Sequence, residues 1–450
     1  MRCALDTLAS FAARATLPDM PEALRAHAPW VLLDVVGAAL AGGAQKETGA
    51  LLASILARPS TGPATVLQRG FPRTTPQDAA WLNGISAVWL ELDPGHRHFR
   101  THAPAHVMPV ALAEAQSVGA SGAELLTAFI VGCEVACRVG GATTPRAEVN
   151  AHGTWGITGA AAAAARLRGL DEVGTARALR IAAQLPIATS FQTSLQGATV
   201  RHGYVGATAT LAMQAVSLAQ AGFSALDDAA SETFGRILGT AFDSPVLTQG
   251  LGENYEFMRD FAKLHACCHH LYPAVDALDD VLRAHPHEAG DVQRIMVDTY
   301  AVAARLCNPA PANELAARFS LPFGLAARVI GGAIGPQAFR SPALDDPRVR
   351  ALATRIEVRA DPAFSARFPQ ERPARVRVLF TDGTNASSER NATDGDYLHP
   401  LTHEQRLGKF DALAAEALPA TTAHALRQRL LHIEQLRDCA LLFDAETADT

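Results

Sequence analysis

The apolar pattern changes its period along the chain, and this change limits the available folds more than any other feature. Up to about residue 260, Ala, Leu and Gly recur at helical spacing with Pro and Gly as stops. The spacing predicts helices over 29–41, 77–90, 109–117, 123–140, 159–168 and 207–221, which should pack as a bundle. After residue 285 the period becomes two, in 292–300 (VQRIMVDTY), 355–360 (RIEVRA) and 374–380 (ARVRVLF). These read as strands, and helical stretches such as 322–331 lie between them, so this part is expected to be α+β with an antiparallel sheet. The tail from Thr402 is helical again and amphipathic, able to return to the first body. The expected fold is therefore mainly α with a smaller α+β domain. A discontinuous helical domain (1–262 and 398–450) and an α+β domain (263–397) would meet at a cleft.

Two domains also suit a chain of 450 residues, too long for one core. The net charge is −6 and no Lys/Arg run is long enough for a nucleic-acid footprint, so an anionic ligand must be held by local cations. Apolar runs such as 160–165 are short against the roughly 20 residues of a membrane span. The first residues carry acids and Pro, unlike a signal peptide, so a cytoplasmic protein is expected, with no membrane partner. Seven cysteines, two of them adjacent at Cys267 and Cys268, suggest reduced thiols. Cys133 and Cys137, at i, i+4 spacing, read as core.

Four segments carry chemistry. The densest, ELDPGHRHFRTHAPAH over 91–106, has four His, two of the chain's Arg and two carboxylates. Loops of this kind hold sites, although a solvated polar loop is the bland alternative. Asp93 could orient a His ring and fix its tautomer. Zinc is a sharper alternative for His96, His98, His102 and His106, but the spacing matches no HExxH-type pair, and no metal is expected. The second, NAHGTWGITG over 150–159, runs into an Ala-rich helix, where backbone N–H groups could hold an anion. Close helix packing explains Gly156 and Gly159 equally well. The third, QGATVRHGYVG over 196–206, brings Arg201, a fixed fork for a carboxylate. The fourth, KLHACCHHLY over 263–272, brings Lys263 and three His, or else is an exposed run at a junction.

Taken in order, these segments resemble the MmgE/PrpD family, which includes 2-methylcitrate dehydratase, cis-aconitate decarboxylase and iminodisuccinate epimerase. ELDPGHR is similar to the family's ELDDGHR, HGTWGITGAAAAAARLRGLD to HPTGTxG…GAAAAAAxLLGLD, and KLHACCHHLYPAVDAL to KPYPCCRxxHPAIDAL. FSLPFGLAARVIGG resembles FSLPYALAxALxxG, and GDYLHPLTHEQRLGKF resembles GxPxNPLTxEExxxKF. The resemblance spans residues 81–410. It implies a large all-helical domain, a smaller α+β lid, a homodimer and no cofactor. At four family positions the chain differs, with Tyr272 for His, Phe323 for Tyr, Asn150 for His and Arg201 for Lys.

By that resemblance Asp93, His102, His152 and Lys263 are the expected catalytic set. His96, Arg97, Thr154, Arg201, His269 and Tyr272 are the expected substrate contacts. The implied activity is a dehydratase-like lyase on a small di- or tricarboxylic acid such as a 2-methylcitrate-like compound. Arg201, Lys263 and the N–H groups of 153–159 would bind carboxylates while His102, oriented by Asp93, moves the proton beside one of them. An epimerase of an iminodisuccinate-like dicarboxylate, with His152 on the second face, and a non-catalytic carboxylate binder are the alternatives.

Overall fold

The computed structural model describes residues 4–58, 61–286 and 288–444. Two buried apolar clusters organise it. The larger joins helices of the first 257 residues to side chains of 410–443, and the smaller spans mainly 266–386 with Ala38, Ala41, Leu90, Leu92, Phe191 and Leu413 from elsewhere. The His403–Ala414 helix makes the return: its Phe410 packs on Gly37 of the Glu22–Gly43 helix, where an added Cβ would stand 3.1 Å from the ring.

The helices form where Ala-rich apolar spacing predicts them, and several have side-chain caps. Ser121 and Glu124 make a reciprocal capping box for Gly122–Ala142, and Thr402 and Gln405 make one for His403–Ala414. Three begin six or seven residues earlier than expected. Pro29 and Pro109, read as starts, lie inside Glu22–Gly43 and Ala103–Val118, because burial of the surrounding turns outweighs one lost N–H bond. The third starts at Val200, which puts Arg201 and His202 in its first turn despite Gly203 and Gly206.

The Gly122–Ala142 and Gly156–Leu167 helices cross at Gly132 and Gly159, where a Cβ on Gly159 would lie 2.2 Å from the Gly132 carbonyl oxygen. Glu22–Gly43 and Gly122–Ala142 are in fact long and apolar enough to cross a membrane by composition, contrary to the expectation from short runs; Ala and Gly extend them, and Gly122–Ala142 is almost wholly enclosed by the body.

The four-stranded sheet runs in the order Asn385–Arg390, Ala374–Phe380, Val292–Thr299, Ile356–Ala360. Its last pairing is parallel, which corrects the expected all-antiparallel sheet. Period-two alternation reports which face is buried and says nothing of strand direction. Asn385–Arg390, too polar to be read as a strand, is the edge. A two-residue ladder, Gly95–His96 with Asp260–Phe261, anchors the 91–106 loop.

Candidate active site

The ladder and two helix starts bring the four segments to one place. His102 occupies the N-cap of Ala103–Val118, so its ring projects from a fixed backbone point. Its Nδ1 lies 2.7 Å from Oδ2 of Asp93, which is wholly buried. Lys263 Nζ donates to the other oxygen, Oδ1, at 3.2 Å. His152 Nε2 is 3.4 Å from Oδ2. Burial opposes the charge on Asp93, yet Lys263 and His102 outweigh it and hold the carboxyl well below its usual range. Burial also works against the Lys263 ammonium, and Asp93 and Glu91 overcome it, raising the group above its ordinary value.

Hydrogen bonding separates the two imidazoles. The Asp93 carboxylate can only accept and faces His152 Nε2 at 3.4 Å, so His152 carries its proton there; Nδ1 then faces the Arg201 Nη2 donor at 3.3 Å, with Asn150 Oδ1 also 3.3 Å away. Burial, then the charge of Arg201, push His152 well below the usual imidazole range. Both its nitrogens are engaged. His102, with Nδ1 on the carboxylate, has no hydrogen bond at Nε2 among the described residues, and that edge belongs to a narrow cleft.

Glu91 closes the charge pattern. Its Oε1 lies 2.5 Å from Arg201 Nη2 and its Oε2 3.6 Å from Lys263 Nζ. Its φ of 56° is in the left-handed region, a cost of order 1–3 kcal/mol for a residue with a Cβ, paid where it points a carboxylate at two cations. Arg201 also donates through Nη1 to the Val88 carbonyl at 3.1 Å. Arg201 and Lys263 are thus each already paired with an internal carboxylate.

The cleft has a second wall. Phe261 stacks on His269 with ring centroids 3.6 Å apart. Arg372 contacts His269 Nδ1, donates to the Arg97 carbonyl at 2.8 Å, and has its guanidinium 5.4 Å from the Phe261 ring centre. His270 Nδ1 is 2.5 Å from the Tyr300 hydroxyl. Arg100 completes this wall. A larger surface groove, about 550 Å³ and lined by Asp171, Arg177 and Arg180 among others, lies elsewhere and gathers no comparable acid–base set, so chemistry and not size locates the site.

The expected residues separate by position. Asp93, His102, His152, Arg201 and Lys263 converge as described, and His96 and His269 line the cleft. His96 Nε2 lies 3.3 Å from Glu256. The other three fall outside the cleft lining. Arg97 is a buried partner of Asp396, Thr154 donates to the Ala151 carbonyl at 2.7 Å, and Tyr272 donates to the His265 carbonyl at 2.5 Å. The anion seat expected at 153–159 is also displaced: Gly153 N–H donates to His106 Nε2 at 3.1 Å, and Gly156 lets the His106 ring pack where a Cβ would stand 2.4 Å from it. These glycines serve packing. Glu91, Arg100, Phe261, His270, Phe319 and Arg372 were missed; Glu91 and Arg100 had a sequence signal in the dense loop and His270 one in the 263–272 segment, while Phe261, Phe319 and Arg372 had none.

Asp93, His102 and His152 bring three ligand-type atoms within 4.8 Å of one another, a geometry a metal could use. The Lys263 ammonium already supplies a positive charge to this carboxylate at 3.2 Å, and the lone pair of His152 Nδ1 faces Arg201. The donor set therefore fits a proton site better than a cation site.

Comparison with known proteins bears out the family resemblance. Residues 6–244 match the MmgE/PrpD N-terminal domain and residues 265–435 the MmgE/PrpD C-terminal domain. Relatives include a cis-aconitate decarboxylase of Aspergillus terreus, 22% identical over 95% of this chain and 92% of its own length. The cis-aconitate decarboxylases of Mus musculus and Homo sapiens are 27% and 26% identical, covering 84% and 82% of this chain and 80% and 79% of their own lengths. With the two domain models covering most of its length, the chain belongs to the MmgE/PrpD family.

Proposed function

We propose that the chain is a lyase that moves a proton at a carbon beside a carboxylate of a small di- or tricarboxylic acid, with His102 as the proton-transferring group. The observation carrying this reading is the Asp93–His102 pair, whose uncommitted His102 Nε2 opens on the cleft next to two buried cations. Asp93 holds the ring with its proton on Nδ1 and stabilises the imidazolium that forms when Nε2 takes a proton. Lys263 and Arg201 stabilise the enediolate that the substrate becomes. Because Glu91 and Asp93 neutralise them in the resting site, they act as a preset dipolar bed more than as free binding charges.

Loss of β-hydroxide, the dehydratase reading, requires the proton taken by His102 to be handed on to the leaving oxygen, which one imidazole can do on one face. Loss of carbon dioxide is the second reading, and the cis-aconitate decarboxylase relatives favour it; there an imidazolium at His102 would deliver a proton to the carbanion left behind. Inversion is less well served. It requires proton-carrying groups on both faces, and both nitrogens of His152 are occupied. A pure binder also loses part of its motivation, since Tyr272 and Phe323 both lie off the cleft lining.

Proton NMR in deuterated buffer with 2-methylcitrate, citrate and cis-aconitate tests the reading. Consumption of one acid is expected, with solvent deuterium in the product if carbon dioxide is lost, or back-exchanged into residual substrate at the carbon beside its carboxylate if hydroxide is lost. Saturable binding of such acids with neither turnover nor exchange would instead make the chain a binding protein.

A further inference from the structure

The cations of the cleft fall into two classes. Arg201 and Lys263, on the His102 side, are each within ion-pair distance of Glu91 or Asp93. Arg100 and Arg372, which also line the cleft, have no carboxylate within that distance among the described residues. Arg100 has one described hydrogen bond, from Nη2 to the Val149 carbonyl at 3.3 Å. Arg372 is 5% exposed, and its Nε–H has no acceptor. Burial lowers Arg372 to about 10, which still leaves it charged near neutrality. Between them stands His270, held well below the usual imidazole range by burial and then by Arg372 and Arg100, so it is neutral and adds no competing charge of its own.

Four cations against two carboxylates leave an excess of two positive charges, carried by Arg100 and Arg372. A buried unpaired guanidinium such as that of Arg372 is costly, and no carboxylate among the described residues is within ion-pair distance to relieve it. The geometry points to a carboxylate subsite formed by Arg100 and Arg372, which takes a second carboxylate of the substrate, not the one held beside Arg201 and Lys263, and so selects dianions over monoanions. The inference rests on the proposed lyase reading and names the substrate class of that same site. Phe261 and Phe319 give the cleft lining apolar surface that a short carbon chain could contact.

The test compares binding of glutarate with binding of its monoamide, by calorimetry, in the wild type, Arg100→Gln, Arg372→Gln and Arg372→Lys. The wild type should prefer the dianion by about ten- to a hundredfold, the range of one or two charge-assisted hydrogen bonds. Arg100→Gln and Arg372→Gln should each reduce that ratio severalfold and leave monoamide affinity nearly unchanged. Arg372→Lys should recover part of it. Arg372 also ties the 96–97 backbone, so Arg372→Gln could unfold; Arg100, with one hydrogen bond, keeps the test decisive alone. An unchanged ratio in folded Arg100→Gln and Arg372→Lys would overturn the subsite while the lyase reading stands. Failure of the wild type to bind either acid, combined with no turnover of any polycarboxylate, would overturn both.

Discussion

Replacing Asp93 by Asn tests the arrangement most directly, because one carboxylate sets the His102 tautomer, steadies His152 and partners Lys263. At 3.2 Å and an effective dielectric constant near 20, the Asp93–Lys263 attraction is about 5 kcal/mol before desolvation is counted. Removing one partner of a buried pair typically costs about 3–5 kcal/mol. Lys263 would keep Glu91 at 3.6 Å, so the lower end, about 3 kcal/mol, is expected in a urea titration. The catalytic loss should be larger in effect. An amide can present N–H to His102 Nδ1 and so favour the wrong tautomer, and it cannot balance an imidazolium; losses of about 10²–10⁴ in kcat, or about 3–5 kcal/mol of barrier, follow. Asp93 has a depressed folded pKa, so its stabilising effect is present above about pH 4 and is lost as the pH falls further; the variant should lack that slope. A folded Asp93→Asn protein with wild-type kcat would refute the reasoning, since no remaining group could then be setting the His102 tautomer.

His102→Gln should lower kcat by a similar 10²–10⁴ with an unchanged urea midpoint, and full activity against the substrate found by NMR would remove His102 from its role. His106 donates from Nδ1 toward the His102 carbonyl and accepts Gly153 N–H at Nε2, and burial takes its pKa down to about 4. Its stabilising effect is therefore complete above pH 6.5 and declines toward pH 4, on the order of 2 kcal/mol between pH 6.5 and 5; His106→Gln should flatten that part of the stability profile, and an unchanged slope would contradict the assignment. Gly156→Ala drives a methyl into the His106 ring, and a loss of about 1–3 kcal/mol with reduced kcat is expected from denaturation and turnover measurements.

The sequence was informative where chemistry is dense and local. Asp93 and His102 lie nine positions apart in one loop, and their pairing could be anticipated because a carboxylate beside an imidazole has few other uses. Helix existence was equally clear from period, although helix starts were not, because Pro29 and Pro109 carry a local stop signal that burial overrides. Arg372 was hidden for a different reason. It is one Arg among several in QERPARVRV, and nothing local separates it from Arg375 or Arg377, which belong to the following strand.

Charge balance explains why the expected binding cations and the observed ones differ. Arg201 and Lys263 were singled out as cations without reference to what faces them, and a sequence does not show that Glu91 adopts a left-handed backbone to meet both. Once that pairing is known, the functional question moves from where the cations are to which ones remain uncompensated. An internal carboxylate beside Arg201 and Lys263 lets the His102 end of the cleft stay nearly neutral at rest, so a substrate carbon can become an enediolate there without being held too tightly beforehand. The uncompensated charge is on Arg100 and Arg372, where it can hold a carboxylate equally well before and during reaction. Substitutions should divide accordingly: those at Glu91 or Lys263 should act mainly on kcat, and those at Arg100 or Arg372 mainly on KM.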